Sequence, residues 1–281
     1  MQIITKISAM MLLASVFTIT AIMPRSAHAT VVEIQTILGS FQVNLTDEAT
    51  PVTVANFLTY VNDSSYTNSI SHRSVPGFIV QAGGFAFDGI TPIVDIESND
   101  PIINEPLYSN LRGTIAMAKF DGDPNSATNQ WFINLADNSA ILDGQNGGFT
   151  VFGQVIGDGM EVVDAIAALF TFPFQAPLNE IPLIDYPLDA PTDDLTLLNE
   201  TNLVIVNAVV VTDPTVDSAA DLEFVSNTII ADLTQEQEDR ITLLSENRAT
   251  SMGLVWLMLL GLALMTRRHY SQAHILNDQK R

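Results

Sequence analysis

His72-Arg73-Ser74-Val75-Pro76-Gly77-Phe78-Ile79-Val80-Gln81-Ala82-Gly83-Gly84 is the stretch on which the reading of this chain turns. Phe78 to Gln81 is a β-rich run. Arg73 is one of only three cations between residues 30 and 211, the others being Arg112 and Lys119, so a basic residue here calls for a reason. His72 is the sole histidine of that region, which argues against a histidine triad or a zinc cluster.

Strand signals dominate on both sides of it. Val31 to Thr36 and Phe41 to Leu45 alternate around Leu38-Gly39-Ser40, a hairpin pattern. Thr114 to Ala118, Trp131 to Leu135, Phe149 to Val155 and Leu203 to Val211 are further β-rich runs. Two helices are expected. Thr50 caps and Pro51 opens the first, with Val54, Phe57, Leu58 and Val61 on one face. The second runs from Met160 to Leu169, with Val162, Val163, Ile166 and Leu169 inward. Many short strands with two helices predict a mainly β fold, a closed barrel with helices over its open ends. Pro173 to Thr196 contains prolines at 173, 177, 182, 187 and 191, too many for a central strand or a helix.

The full chain has 281 residues, with 11 Lys plus Arg against 32 Asp plus Glu, a formal net charge of −21 and a pI of about 4.1. Phosphate binding needs a basic face, so nucleic acid is excluded as a partner. There is no cysteine, hence no disulfide, thiolate nucleophile or cysteine metal site. Mean hydropathy is +0.25, and part of that excess sits at the two ends. Residues 1–29 combine Lys6, a short apolar run and an Ala27-His28-Ala29 ending, which reads as a signal peptide rather than a retained anchor. Ala249 to Thr266 is uncharged and without a polar stripe. As a helix it would span roughly 27 Å, close to a bilayer core of about 30 Å. Arg267-Arg268 and Lys280-Arg281 place the 267–281 tail on the cytoplasmic side. The expected organisation is a signal peptide (1–29), a folded domain (30–211), an acidic stalk (212–248), a transmembrane helix (249–266) and a basic tail.

Downstream of residues 72–84 come Gly113-Thr114-Ile115-Ala116-Met117-Ala118-Lys119, then Asn125-Ser126-Ala127-Thr128-Asn129-Gln130-Trp131-Phe132-Ile133-Asn134. Leu142-Asp143-Gly144 and Val151-Phe152-Gly153-Gln154-Val155 follow. In this order and spacing the strings resemble the cyclophilin family of peptidyl-prolyl cis-trans isomerases, with exported bacterial members the most similar. The resemblance covers nearly all of residues 30–211. It implies an eight-stranded antiparallel β-barrel capped by two helices, and an enzyme without metal or cofactor. The implied catalytic residues are Arg73 and Gln81, with Gln81 holding Arg73 and contacting the substrate carbonyl. The implied proline slot comprises Phe78, Ile79, Phe132, Leu142 and Phe149. Ala118, the backbone of Lys119, and Gln130 would line the groove for residues preceding proline.

Ile141 stands where the family has an aromatic residue at the surface that binds cyclosporin, so weak inhibitor affinity is expected. Trp131 replaces a phenylalanine and should point away from the slot, because neighbours on a strand alternate faces. Asp121-Gly122-Asp123-Pro124-Asn125 begins like a calcium loop, but Ser126 and Phe132 stand where glycine and glutamate are required. The expected function is therefore X–Pro isomerisation in exported polypeptides by a monomer tethered to the inner membrane. A proline-peptide-binding module that is catalytically weak is the alternative.

Overall fold

The first hairpin follows the alternation of its residues. β1 (Val31–Thr36) pairs antiparallel with β2 (Gly39–Leu45). Val32, Ile34, Phe41, Val43 and Leu45 all enter the main core. The structure, a computed structural model, describes residues 30–90, 93–214, 222 and 224–230. The expected signal peptide, transmembrane helix and basic tail lie outside the described residues.

α1 (Pro51–Asn62) buries Val54, Phe57, Tyr60 and Val61 at helical spacing. Its cap departs from expectation. The Thr50 hydroxyl meets that of Thr46 at 2.6 Å and makes no capping bond. Glu105, from a distant loop, takes over. Its carboxylate accepts from Thr53 N at 2.9 Å, Thr53 Oγ1 at 2.8 Å and Val52 N at 3.3 Å. A full negative charge on the open N–H groups of a first turn is favourable both as an acceptor and against the helix dipole.

Short strands follow: β3 (Ser69–Ile70), β4 (Arg73–Val75), β5 (Ile79–Ala82), β6 (Phe85–Ala86) and β7 (Val94–Asp95). After these come β8 (Thr114–Met117), β9 (Trp131–Asn134), the one-turn α2 (Ser139–Leu142), β10 (Val151–Ile156) and α3 (Gly159–Ala167). β11 (Phe170–Phe172), β12 (Ile181–Leu183) and β13 (Ile205–Asp213) complete the described elements. Eleven strands form one antiparallel sheet in the order β4-β5-β9-β8-β10-β2-β1-β13-β3-β6-β7. This exceeds the eight expected because bends divide long strands. Gly83, at φ +87°, separates β5 from β6. Residues 69–75 serve two distant parts of the sheet: Ser69 and Ile70 pair with β13, while Arg73 to Val75 pair with β5. α3 packs Val163 and Ile166 onto the core from one end, and Phe57 of α1 meets Phe152 in a tilted ring contact at 5.1 Å.

The proline-rich stretch is more ordered than its composition suggests. β12 includes Pro182 and forms a separate two-stranded sheet with β11, so the missing N–H breaks no rung of the main sheet. Around this pair Phe172, Phe174, Leu178, Ile181, Leu183, Tyr186, Leu198 and Leu203 build a second core against Ile70 and Ile205. The stalk reading also needs revision. β13 extends to Asp213, and residues 224–230 return to the domain. Phe224 stacks on Tyr108 at 4.8 Å, Ser109 N donates to Val225 O at 2.8 Å, and Asn227 Nδ2 donates to Asp143 O at 2.9 Å. An aromatic and a buried amide inside an otherwise acidic stretch are what bind it there.

Candidate active site

Strand register assembles the site. Arg73 faces Gln81 across β4–β5, and Gln81 faces Phe132 across β5–β9. Phe132 faces Ala116 across β9–β8, and Ala116 faces Val151 across β8–β10. Residues directly opposed in antiparallel strands share a face, so these five form one row. Their sequence neighbours Val80, Trp131, Ile133, Ile115, Met117 and Phe152 point the other way into the main core. Trp131 does turn away from the slot, while Phe132 joins Ile79, Ala116, Leu142 and Val151 in a separate apolar cluster.

Over this row lies a cavity of about 230 Å³. Phe78, Ile79, Phe132, Leu142 and Phe149 supply its apolar wall, and Arg73 and Gln81 its polar edge. Phe132 and Phe149 meet edge to face at 5.8 Å. A second depression of about 240 Å³ adjoins it and shares Gln81, Ala118 and Lys119. Gln130 and Pro177 border that depression. Gly84 is required here by close approach: a Cβ at this position would come within 2.5 Å of the Gln130 side chain.

The expected support for Arg73 is corrected by the hydrogen bonds. Gln81 Nε2 donates to Gln130 Oε1 at 2.8 Å. Arg73 is held instead by Glu180, whose Oε2 accepts from Arg73 Nε at 2.8 Å. Competing neighbours account for the substitution of partners. Glu180 directly precedes β12, and its backbone carbonyl accepts from Ser74 N at 2.7 Å, which sets its side chain beside β4. Gln81, on the neighbouring strand, is taken up by the Gln130 side chain lying above Gly84.

Lys119 contributes more than backbone. Its Nζ donates to Asn146 O at 2.9 Å and Gly148 O at 2.7 Å and lies 4.9 Å from the Phe149 ring centre. Burial lowers its pKa to about 8, with Asp123 opposing. The loop that carries Leu142 and Phe149 is fixed from below by buried amides. Asn138 Nδ2 donates to Phe78 O at 2.8 Å and to Asn134 Oδ1 at 2.7 Å. Asn110 donates to Asp143 Oδ1 from its backbone N at 2.8 Å and from Nδ2 at 3.0 Å. Buried polar groups satisfied in this way give a single arrangement of the wall. His72, beneath the site, is 2% exposed and meets Phe85 edge to face at 4.9 Å. Burial lowers its pKa to about 4; hydrogen bonds with Ile70 and Gln130 oppose this and the Arg73 charge adds to it.

Of the residues read from the sequence, Arg73, Gln81, Phe78, Ile79, Ala118, Lys119, Phe132, Leu142 and Phe149 converge on the cavity, and Gln130 borders the adjoining depression. Ile141 lines neither. It is 55% exposed, because on the single turn of α2 neighbouring residues diverge by about 100° and Leu142 is the one turned inward. Gln145, Pro177 and Glu180 were not foreseen. Glu180 carries no distinguishing signal in the sequence, where it is one of 32 Asp and Glu residues.

The arrangement offers a slot sized for a small ring, with a guanidinium at its edge and no nucleophile aimed into it. Among the described residues no group of three or more His, Cys, Asp or Glu is placed to hold a metal ion. Residues 31–186 match the family model described as cyclophilin type peptidyl-prolyl cis-trans isomerase/CLD. Peptidyl-prolyl cis-trans isomerase A of Dickeya dadantii is 41% identical over 162 residues, covering 56% of this chain and 82% of that protein. A peptidyl-prolyl cis-trans isomerase of Acinetobacter baylyi is 42% identical over 148 residues, 50% of this chain and 76% of that one. Among solved structures, a cyclophilin type peptidyl-prolyl cis-trans isomerase of Cryptosporidium parvum aligns with TM-score 0.46 at 22% identity, over 66% of this chain and 99% of that one.

Proposed function

Because the chain belongs to the cyclophilin-type peptidyl-prolyl cis-trans isomerases, we propose that it accelerates X–Pro rotation through Arg73 acting beside the apolar cavity over β5, β8 and β9. The chain is a peptidyl-prolyl isomerase; the residue roles follow from the chemistry. Rotation about a peptide bond is opposed by resonance worth about 18–20 kcal/mol. At the twisted transition state that resonance is lost and the proline nitrogen carries a lone pair. A cationic donor fixed near the nitrogen stabilises this state more than either planar one, which is the condition for catalysis. The Arg73 Nε is engaged by Glu180, which leaves the terminal Nη groups to reach the nitrogen. The proline ring enters among Phe78, Phe132, Leu142 and Phe149, and Gln81 contacts the carbonyl of the bond that turns. Residues before proline lie along Ala118 and Gln130.

The observation that carries this reading is the single row in which a guanidinium, an amide and a phenylalanine floor share one face of a rigid sheet. The test is a protease-coupled proline-peptide assay on the full chain and on Arg73→Ala. The variant should lose about 10²–10³-fold in rate, as on removal of a single transition-state donor, with an unchanged circular dichroism spectrum. A folded variant of near wild-type activity would remove Arg73 from the mechanism.

The clients are proposed to be exported polypeptides, with the domain tethered by its C-terminus to the inner membrane. Support comes from the signal-like residues 1–29, and from the uncharged 249–266 stretch followed by Arg267-Arg268. Among the described residues no helix is long and apolar enough to cross a membrane. Alkaline phosphatase fused after Asp213 should be active and after Tyr270 inactive. Recovery of the intact chain in a soluble periplasmic fraction would refute the tether.

A further inference from the structure

Glu180 lies outside the strings that carry the family resemblance, though within the matched residues 31–186, and it is the acid that holds the Arg73 guanidinium. We propose that Glu180 is a positioning residue for the isomerase reaction, acting through Arg73; this rests on the donor role given to Arg73 above. Its backbone is pinned to the strand that carries Arg73. The Glu180 carbonyl accepts from Ser74 N at 2.7 Å, and the following residue, Ile181, is fully buried and paired with Phe172. Leu178, two residues earlier, is 5% exposed in the same second core. The second core thus fixes the backbone of one carboxylate at a set distance from β4. The carboxylate takes the Nε–H at 2.8 Å and orients the planar guanidinium, whose remaining donors lie on Nη1 and Nη2.

The pair is about one-third exposed on both sides, with side-chain exposures of 32% and 33%. Exposed pairs contribute little to stability, so the effect of Glu180 falls on placement. An unanchored arginine samples many rotamers, and small misplacements of a reacting group reduce rate strongly. This separates the proposal from a purely structural role, because stability and rate should respond differently to the same substitution.

The test uses the full chain with Glu180→Ala, Glu180→Gln, Arg73→Ala and the Arg73→Ala/Glu180→Ala pair, assayed with a cis-enriched proline peptide. Glu180→Ala should lower kcat about tenfold or more with KM nearly unchanged, and leave the unfolding midpoint near that of the parent. Glu180→Gln, which keeps an acceptor for the same N–H, should lose less. In the Arg73→Ala background Glu180→Ala should cause no further loss, since coupled residues are not additive. The Arg73 Nε–H nuclear magnetic resonance signal should shift and exchange faster with solvent in Glu180→Ala. An inactive Arg73→Ala protein alongside a fully active Glu180→Ala protein overturns the positioning role alone. Equal losses from Glu180→Ala with and without Arg73 also overturn it. A fully active Arg73→Ala protein overturns the donor assignment, and the positioning role with it.

Discussion

Acidification should weaken the fold through His72, and comparison with His72→Gln isolates the effect. Burial holds this imidazole near pKa 4, against about 6.5 when exposed. Between those values the unfolded chain binds a proton that the folded chain does not, so stability falls as the pH is lowered through that window. Integrating from about pH 7.5 to about pH 4.5 gives a loss of about 2–3 kcal/mol from this one group. The chain as a whole complicates a single curve. Its 32 Asp and Glu residues begin to protonate over the lower part of the range, which relieves self-repulsion at a net charge of −21. The variant keeps all 32, so the difference between the two proteins removes that contribution. Urea unfolding followed by tryptophan fluorescence, repeated at half-unit pH steps, supplies both curves. The parent should lose about 2–3 kcal/mol relative to the variant by about pH 4.5, with most of the change below about pH 6.5. Curves that stay parallel across that window would refute the burial argument, because a neutral and an ionised His72 would then be equally tolerated.

Three further outcomes are expected. Phe132→Ala, which removes a ring 2% exposed in the cavity floor, should cost about 3–5 kcal/mol in urea unfolding and reduce kcat/KM. Glu105→Ala should destabilise by about 1–2 kcal/mol by stripping the one side-chain acceptor that the described residues give the first turn of α1, with Glu105→Gln losing less. Cyclosporin should bind weakly by calorimetry, because the exposed Ile141 offers neither a donor nor a flat ring, and Ile141→Trp should tighten it.

The first hairpin was legible from its alternation, the other strands only as β-rich runs, because β8 and β9 are buried on both faces. Trp131, Phe132 and Ile133 are all apolar, so their order alone does not say which faces the core. The strand period, combined with the family motif, assigns Phe132 to the slot. Arg73 was legible from its rarity in an acidic chain. Glu180 was not, since one acid among many carries no mark of its partner until the fold brings it to β4. Glu105 escaped for the same reason: the local sequence offered Thr50 as a cap, and a threonine engaged by Thr46 is indistinguishable in sequence from a free one. Ile141 was assigned by its place in a motif, whereas the single turn of α2 decides its direction. Phe224 and Asn227 were hidden in a segment whose average composition is acidic, where two anchoring side chains outweigh the mean.

The row from Arg73 to Val151 divides the molecule into parts that can and cannot vary independently. Each member of the row stands between residues that fill the interior, so a one-residue slip in β9 would carry Phe132 inward and Trp131 outward, and chemistry and folding would fail together. The floor is therefore poor ground for adapting to new clients. The rims differ. Phe120, Ser126, Thr128 and Pro177 border the adjoining depression from loops, and loops tolerate exchange better than the strands they join. Selection for a new client can act on those edges while rotation at the proline bond is left untouched.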